Sequence, residues 1–241
     1  MNRRSLGFWL VVAFLFSFSG SALALTNVFP SSNINGTSGL IRIPSADIVP
    51  YKNFNVGGNY LSAFNSGVVS AEAAFNYFLN LGAYHGLELG VVGGTDQLTK
   101  QMREGVFLNA KLSLSTGDEP YPLLLALGIE NLFSRTQTDV YMVATKYFKQ
   151  GPKLTFGFMA DFPNNKFRPM GMLGAEFPLS ENIFILADSM AGEQILQLNA
   201  GARVYFTPLL SLSASALNVL NGAQAKDPQS VVVSFNWANP F

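Results

Sequence analysis

The 241-residue sequence contains no cysteine. That excludes disulfides, thiol nucleophiles and cysteine metal sites together, and it suits an oxidising compartment. Charge is scarce: Asp, Glu, Lys and Arg make up 12% of the chain, about half the roughly 25% of soluble proteins. Beyond the first two dozen residues, no apolar run approaches the about 20 residues that a membrane helix needs. Histidine occurs once, as His85. Aromatics, by contrast, reach 13%, with 21 Phe, 8 Tyr and 2 Trp. Such a chain fits a wall of lipid-facing strands, whose apolar signal is spread thinly over many segments. The length suits one domain or one closed sheet.

The N-terminus reads as an export signal over residues 1–24. Asn2-Arg3-Arg4 supplies a positive region and Leu6 to Phe18 an apolar one. Ser21-Ala22-Leu23-Ala24 gives a small-x-small cleavage pattern, with the cut after Ala24. The arginine pair resembles a twin-arginine signal, but the very apolar core favours the general secretory route. No Cys follows the cut, which excludes a lipoprotein. Loss of Arg3 and Arg4 leaves 13 basic against 15 acidic residues. Nothing in that balance recruits nucleic acid or an anionic membrane surface.

The last stretch, Ser230 to Phe241, carries Val231, Val233, Phe235 and Trp237 on one strand face and Val232, Ser234 and Asn236 on the other. It ends on Phe241, in register with the apolar set. Phe235, Trp237 and Phe241 resemble the C-terminal signature of bacterial outer-membrane β-barrels, which implies the barrel-assembly machinery and outer-membrane lipid as partners. Pro240 lacks an N–H, so regular pairing is expected to end near Trp237 or Ala238.

From Asn53 onward the same alternation recurs. Val106, Leu108, Ala110, Leu112 and Leu114 oppose Asn109, Lys111, Ser113 and Ser115. Leu196, Leu198, Ala200, Ala202 and Val204 oppose Gln197, Asn199, Gly201 and Arg203. Tyr141, Val143 and Tyr147 are read as an outward face opposite Met142, Ala144 and Lys146. Ile183 and Ile185 oppose Phe184 and Leu186, a less decisive pattern. Twelve strands result, each near the 9–11 residues a tilted membrane strand needs.

Single-chain barrels have an even strand number and both ends in the periplasm. Counting back from Phe241, the inner turns fall at Thr207-Pro208, 178–182, 149–152, 116–121 and 80–85. The outer loops fall at 221–229, 189–194, 163–168, 131–138, 94–103 and 64–67, and are longer on average. The fold expected is an all-β, transmembrane, antiparallel up-and-down barrel of about 12 strands over residues 53–241. Fourteen strands is the alternative.

Residues 25–52 do not read as wall. They are rich in Asn, Ser, Gly and Pro, and the one short apolar piece, Gly39 to Ile43, would make the strand number odd. They are expected to form a plug or a periplasmic lead-in. The segment Gly36-Thr37-Ser38-Gly39-Leu40-Ile41-Arg42-Ile43-Pro44-Ser45-Ala46-Asp47, with the Asn-Phe-Asn-Val-Gly strand after it, resembles the opening motif of the YjbH-like outer-membrane family. The resemblance implies an association with exopolysaccharide production and export, with polysaccharide or export-system proteins as partners.

If the apolar faces meet lipid, the lumen collects Glu72, Glu88, Lys111, Glu130, Lys146, Asp161, Glu176, Asp188 and Arg203. Stability alone would put them there, since Lys or Arg facing the bilayer midplane costs about 2–4 kcal/mol. Two readings stand side by side: a self-neutralising network, or a polar conduit for a hydrophilic substrate.

Catalytic and cofactor signals are weak. His85 sits in the turn Ala83-Tyr84-His85-Gly86 with no serine motif beside it, so a solvated turn histidine outweighs a Ser–His site. Gly90-Val91-Val92-Gly93-Gly94 lacks the Lys-Ser/Thr and the helix of a phosphate loop. Asp118-Glu119 is too small for a metal claim. Neither cofactor nor metal is expected. The leading expectation is a non-enzymatic envelope barrel assisting exopolysaccharide export or surface assembly. A passive small-solute porin comes next, and an outer-membrane lipid hydrolase last.

Overall fold

In a computed structural model, twelve antiparallel strands close into a barrel. The structure describes residues 28–65, 68–95, 105–115, 122–134, 138–149, 151–162, 166–193, 195–220 and 229–241. The expected signal segment 1–24, the side chain of Glu72, Asp118-Glu119 and most of the loops 94–103 and 221–229 lie outside these residues.

The strands are β1 (Asn53–Asn65), β2 (Val68–Tyr84), β3 (Leu87–Thr95), β4 (Val106–Ser113), β5 (Leu123–Leu132) and β6 (Asp139–Lys146). They continue as β7 (Lys153–Asp161), β8 (Arg168–Pro178), β9 (Ile183–Gly192), β10 (Ile195–Thr207), β11 (Leu210–Leu217) and β12 (Ser230–Pro240). Each pairs with its sequence neighbours, and β1 pairs with β12 to leave no open edge. Closure matters because an unpaired backbone N–H or C=O in hydrocarbon costs several kcal/mol. The count of twelve agrees with the alternation read from the sequence, and the fourteen-stranded alternative is excluded.

The seam between β1 and β12 runs from Asn53 opposite Pro240 to Ala63 opposite Ser230. Pairing therefore reaches Pro240, beyond the expected end near Trp237. The proline occupies the last rung, and Phe241 N beyond it donates to Lys52 O at 3.0 Å. The ladder steps over the missing donor. Phe54 lies edge-on to Trp237, with ring centroids 5.4 Å apart, and tightens the seam from outside.

Side-chain parity follows from the solvent on each side of the wall. On β12, Val233, Phe235 and Trp237 are exposed outward, while Val232, Ser234 and Asn236 are buried inside. The same division holds on β4 and β10. Tyr60, Phe75, Tyr77, Phe156, Phe158 and Leu173 add to a continuous apolar belt. Two strands carry lessons. On β6, Tyr141, Val143 and Thr145 face inward and Met142 faces out at 51% exposure. Its orientation is the reverse of the one expected, because every residue of that strand before Lys146 except Asp139 and Thr145 is apolar or small and apolarity alone does not fix the face. On β9, Phe184 and Leu186 are the inward residues, against Ile183 and Ile185 outside.

The reason for apolar inward residues lies in residues 28–52. They form no strand of the wall. Phe29 N donates to Pro208 O beside the β10–β11 turn, and Lys52 N donates to Gly82 O near the β2–β3 turn, so the segment starts and ends at the same barrel mouth. Gly82 permits the close exit, since a Cβ there would lie 1.9 Å from Pro50 O. Between those points the chain turns tightly, with Asn33 N to Thr37 O at 2.7 Å and Leu40 N to Ile43 O at 3.0 Å. Leu40 and Ile43 join Ala126, Val143, Met159 and Met172 in one apolar cluster, and Ile34 and Ile41 join Phe184, Leu186 and Val232 in another.

Candidate functional site

An irregular segment inside a barrel has backbone donors and acceptors with no ladder to satisfy them, and buried groups of that kind must find partners. Here the partners are the charged and amide side chains of the wall. Glu88 on β3 accepts Ser38 N at 3.1 Å and Val49 N at 2.9 Å. It also accepts the Ser38 hydroxyl. Lys111 on β4 donates to Ser38 O at 2.7 Å and Asp47 O at 2.9 Å, and its Nζ lies 3.9 Å from Glu88. Charge of one sign meets amides and charge of the other meets carbonyls.

The opposite wall repeats the arrangement. Asp188 Oδ2 on β9 accepts three consecutive amides, Ile41 at 2.9 Å, Arg42 at 2.7 Å and Ile43 at 3.2 Å. Its Oδ1 accepts Asn199 Nδ2 at 2.6 Å. Arg203 on β10 donates to Leu40 O at 3.1 Å and pairs with Glu176 at 3.1 Å. Glu176 also meets Lys153 at 3.4 Å, and Lys153 meets Asp47 Oδ2 at 3.1 Å. Near the tip of the segment, Glu130 is held among the described residues by neutral donors: Asn33 Nδ2 at 3.1 Å, Asn35 Nδ2 at 2.8 Å and the Thr37 hydroxyl.

A third sector uses amides without charge. Asn55 donates to Pro30 O at 3.0 Å, Asn59 to Ile34 O at 3.2 Å and Asn109 to Asn35 O at 2.8 Å. Asn80 reaches Ser32 Oγ at 2.9 Å and also bonds Gly36 O. The Asn80 amide fits because its neighbour across the strands is Gly90, where a Cβ would lie 2.2 Å from Oδ1. The glycine run read in the sequence is thus part of β3 and makes room for a wall asparagine.

Of the residues singled out in the sequence, Glu88, Lys111, Glu130, Asp188 and Arg203 bond the segment directly, and Glu176 joins it through Arg203 and Lys153. Asp161 is buried but pairs along the wall with Arg168 on β8. Lys146 is not in the lumen: β6 is flipped, and Lys146 sits opposite the outward Leu123 at the strand end, half-buried. Sequence reasoning missed Lys153, Thr145 and Tyr147. Lys153 shares parity with Asp161 on β7, a signal present in the chain. Thr145 accepts Ala46 N at 2.8 Å and became legible only with the face of β6.

Asp47 is the one ionised group the segment itself brings to this network. Burial by itself raises its carboxyl, but the Lys153 ammonium and hydrogen bonds from Tyr147 and Ser45 outweigh that and hold it below the ordinary carboxylate range. His85 is exposed in the β2–β3 turn, its ring 4.6 Å from that of Tyr51 and 5.8 Å from that of Tyr84.

A closed strand barrel with an apolar outer belt and a polar interior is built to cross a bilayer. The chain is an outer-membrane β-barrel. No family model matches it, and no curated protein does. Solved structures do. The "KdgM porin" is similar over 76% of this chain and 98% of its own, with a TM-score of 0.54 and 6% identity. The same porin "in complex with disordered oligogalacturonate" also gives a TM-score of 0.54 at 6% identity, over 77% of this chain and 98% of that one. The Ralstonia pickettii "toluene transporter TbuX" is similar over 93% of this chain and 100% of its own, with a TM-score of 0.51 and 7% identity. At such identities the likeness is one of fold. These neighbours are porins and transport channels rather than enzymes.

Proposed function

We propose that this protein is a non-enzymatic outer-membrane barrel whose lumen is held closed by its own N-terminal segment, and that it assists exopolysaccharide export or surface assembly. The observation that carries the closed state is the fate of the wall charges. Glu88, Lys111, Glu130, Glu176, Asp188 and Arg203 are all buried and all bonded to the segment or to one another. A water-filled porin would leave such groups hydrated.

The export role rests on the resemblance of Gly36–Asp47 to the YjbH-like opening motif. That stretch supplies Ser38, Leu40, Ile41, Ile43 and Asp47 to the contacts in the lumen. The position of His85, exposed in a turn at the mouth where the segment enters, weighs against a lipid hydrolase. The passive porin shares the barrel but requires an aqueous path past residues 28–52.

Deletion of the gene separates these readings in cells. Loss of surface polysaccharide, with unchanged uptake of small hydrophilic solutes, supports the export role. Slower solute uptake with normal surface polysaccharide supports the porin and contradicts the proposal.

A further inference from the structure

Besides its hydrogen-bonding network, the lumen holds one concentration of soft donor atoms. Five methionines lie among the described residues. Met159, Met170, Met172 and Met190 are buried on the inner faces of β7, β8 and β9, and Met142 alone points outward. Met159 stands directly opposite Met170, and Met172 directly opposite Met190. Opposed residues on one face have Cβ atoms about 4.5–5.5 Å apart. Met170 and Met172 are alternate residues of one strand, roughly 7 Å apart at about 3.3 Å per residue. The methionine side chain is unbranched and flexible, so four thioethers on this lattice can converge on one point.

The surroundings grade the approach. One step nearer the outer mouth, Glu130, Asp139 and Asp161 follow one another in register across β5, β6 and β7. Between the outer mouth and the thioethers lies this buried carboxylate layer, in which Glu130 is bonded to the segment and Asp161 is paired with Arg168. On the inner side, Leu40 and Ile43 of the segment close the same cluster with apolar surface. Elsewhere the inner wall fills space against the segment with Phe78, Val92, Phe107, Phe184 and Leu186. Thioether donors suit soft ions, while carbonyl and carboxylate oxygens suit hard ones.

We propose that Met159, Met170, Met172 and Met190 form a binding site for a soft monovalent metal ion of the copper(I) and silver(I) class. The site stands independently of the export role, and because the four methionines are buried an ion reaches it when the contacts on its outer side open.

Silver nitrate is the probe, since silver(I) is stable in air. Titration of the full-length barrel in detergent is expected to show saturable uptake of one silver ion per chain, with no competition from excess calcium. The M159L/M170L/M172L/M190L variant, checked for heat-modifiable migration, is expected to lose at least 100-fold in affinity, while M142L retains it. A second measurement needs no variant. Peroxide oxidation followed by mass spectrometry is expected to show silver protecting the four lumen methionines and not Met142. Unsaturable uptake by the native protein, equal uptake by the quadruple variant, or oxidation of the four residues that silver leaves unchanged would each overturn the site.

Discussion

Asp188 Oδ2 lies 2.7 Å from the amide of Arg42, at the centre of a three-amide cradle that ties the segment to β9. Truncation leaves those amides buried without an acceptor, and each such group costs about 1–3 kcal/mol. Asp188→Ala is therefore expected to loosen residues 39–43 by at least about 2 kcal/mol while the twelve-strand ladder persists. Faster amide exchange at Ile41, Arg42 and Ile43, with unchanged exchange in β8 and β10, is the pattern that checks it. Uniform loosening of the barrel would contradict it.

Glu88 and Lys111 are a buried pair that also shares Ser38. Removing one member of such a pair strands the other charge and costs about 3–5 kcal/mol, whereas replacing both is often close to neutral. In urea unfolding, Lys111→Met and Glu88→Gln are each expected to lower the midpoint, and the double variant to recover most of the loss. Additive losses would show that the two act separately.

Gly174 on β8 makes room for the segment: a Cβ there would lie 2.8 Å from both Ile43 Cδ1 and Leu40 Cδ2. Gly174→Val is expected to displace those side chains and leave strand pairing intact. Protease cleavage within residues 39–46, absent in the native protein, is the readout.

Acid should release the periplasmic half of the segment. Asp47 is held below its ordinary range by Lys153 and Tyr147, against the effect of burial. A depressed carboxylate stabilises the folded contacts above its unfolded value of about 3.9 and ceases to do so as pH falls through the lower folded value. Amide exchange at Ala46 and Val49 is expected to rise below about pH 4 and to be insensitive to pH there in Asp47→Asn.

The wall was legible from residues such as Leu108, Leu112, Val233 and Phe235, because lipid outside and polar contacts inside impose a period of two. β6 was not, and on β9 the pattern was less decisive and only Asp188 marked the inner face, for one physical reason. The lumen is filled by protein rather than water, so Tyr141, Val143, Phe184 and Leu186 are as well placed inside as outside. Glu88, Lys111, Glu130, Asp161, Glu176, Asp188 and Arg203 were legible as inward residues and Lys146 was not, but none of their partners was legible. Asp188 meets amides 145 to 147 positions away in sequence, and nothing local in Gly39–Ile43 encodes that acceptor.

Phe241 caps the closing seam, its amide on Lys52 O and its ring 6.5 Å from that of Phe54. With Phe235 and Trp237 it forms the proposed assembly signature. Phe241→Ser is expected to reduce folded, heat-modifiable protein in outer membranes several-fold, yet to refold in detergent nearly as well as the native chain. Equal losses in both settings would make Phe241 a stability residue only.

Single-channel recording in planar bilayers shows whether residues 28–52 close the lumen. Ser31 Oγ and Ser211 Oγ lie 2.9 Å apart, so S31C/S211C places the only two cysteines of the chain within disulfide reach. The native barrel and the oxidised S31C/S211C variant are expected to be silent, and Asp188→Ala to show discrete openings. Steady conductance through the native barrel, equal to that of Asp188→Ala and unchanged by the disulfide, would mean that the segment leaves the lumen open.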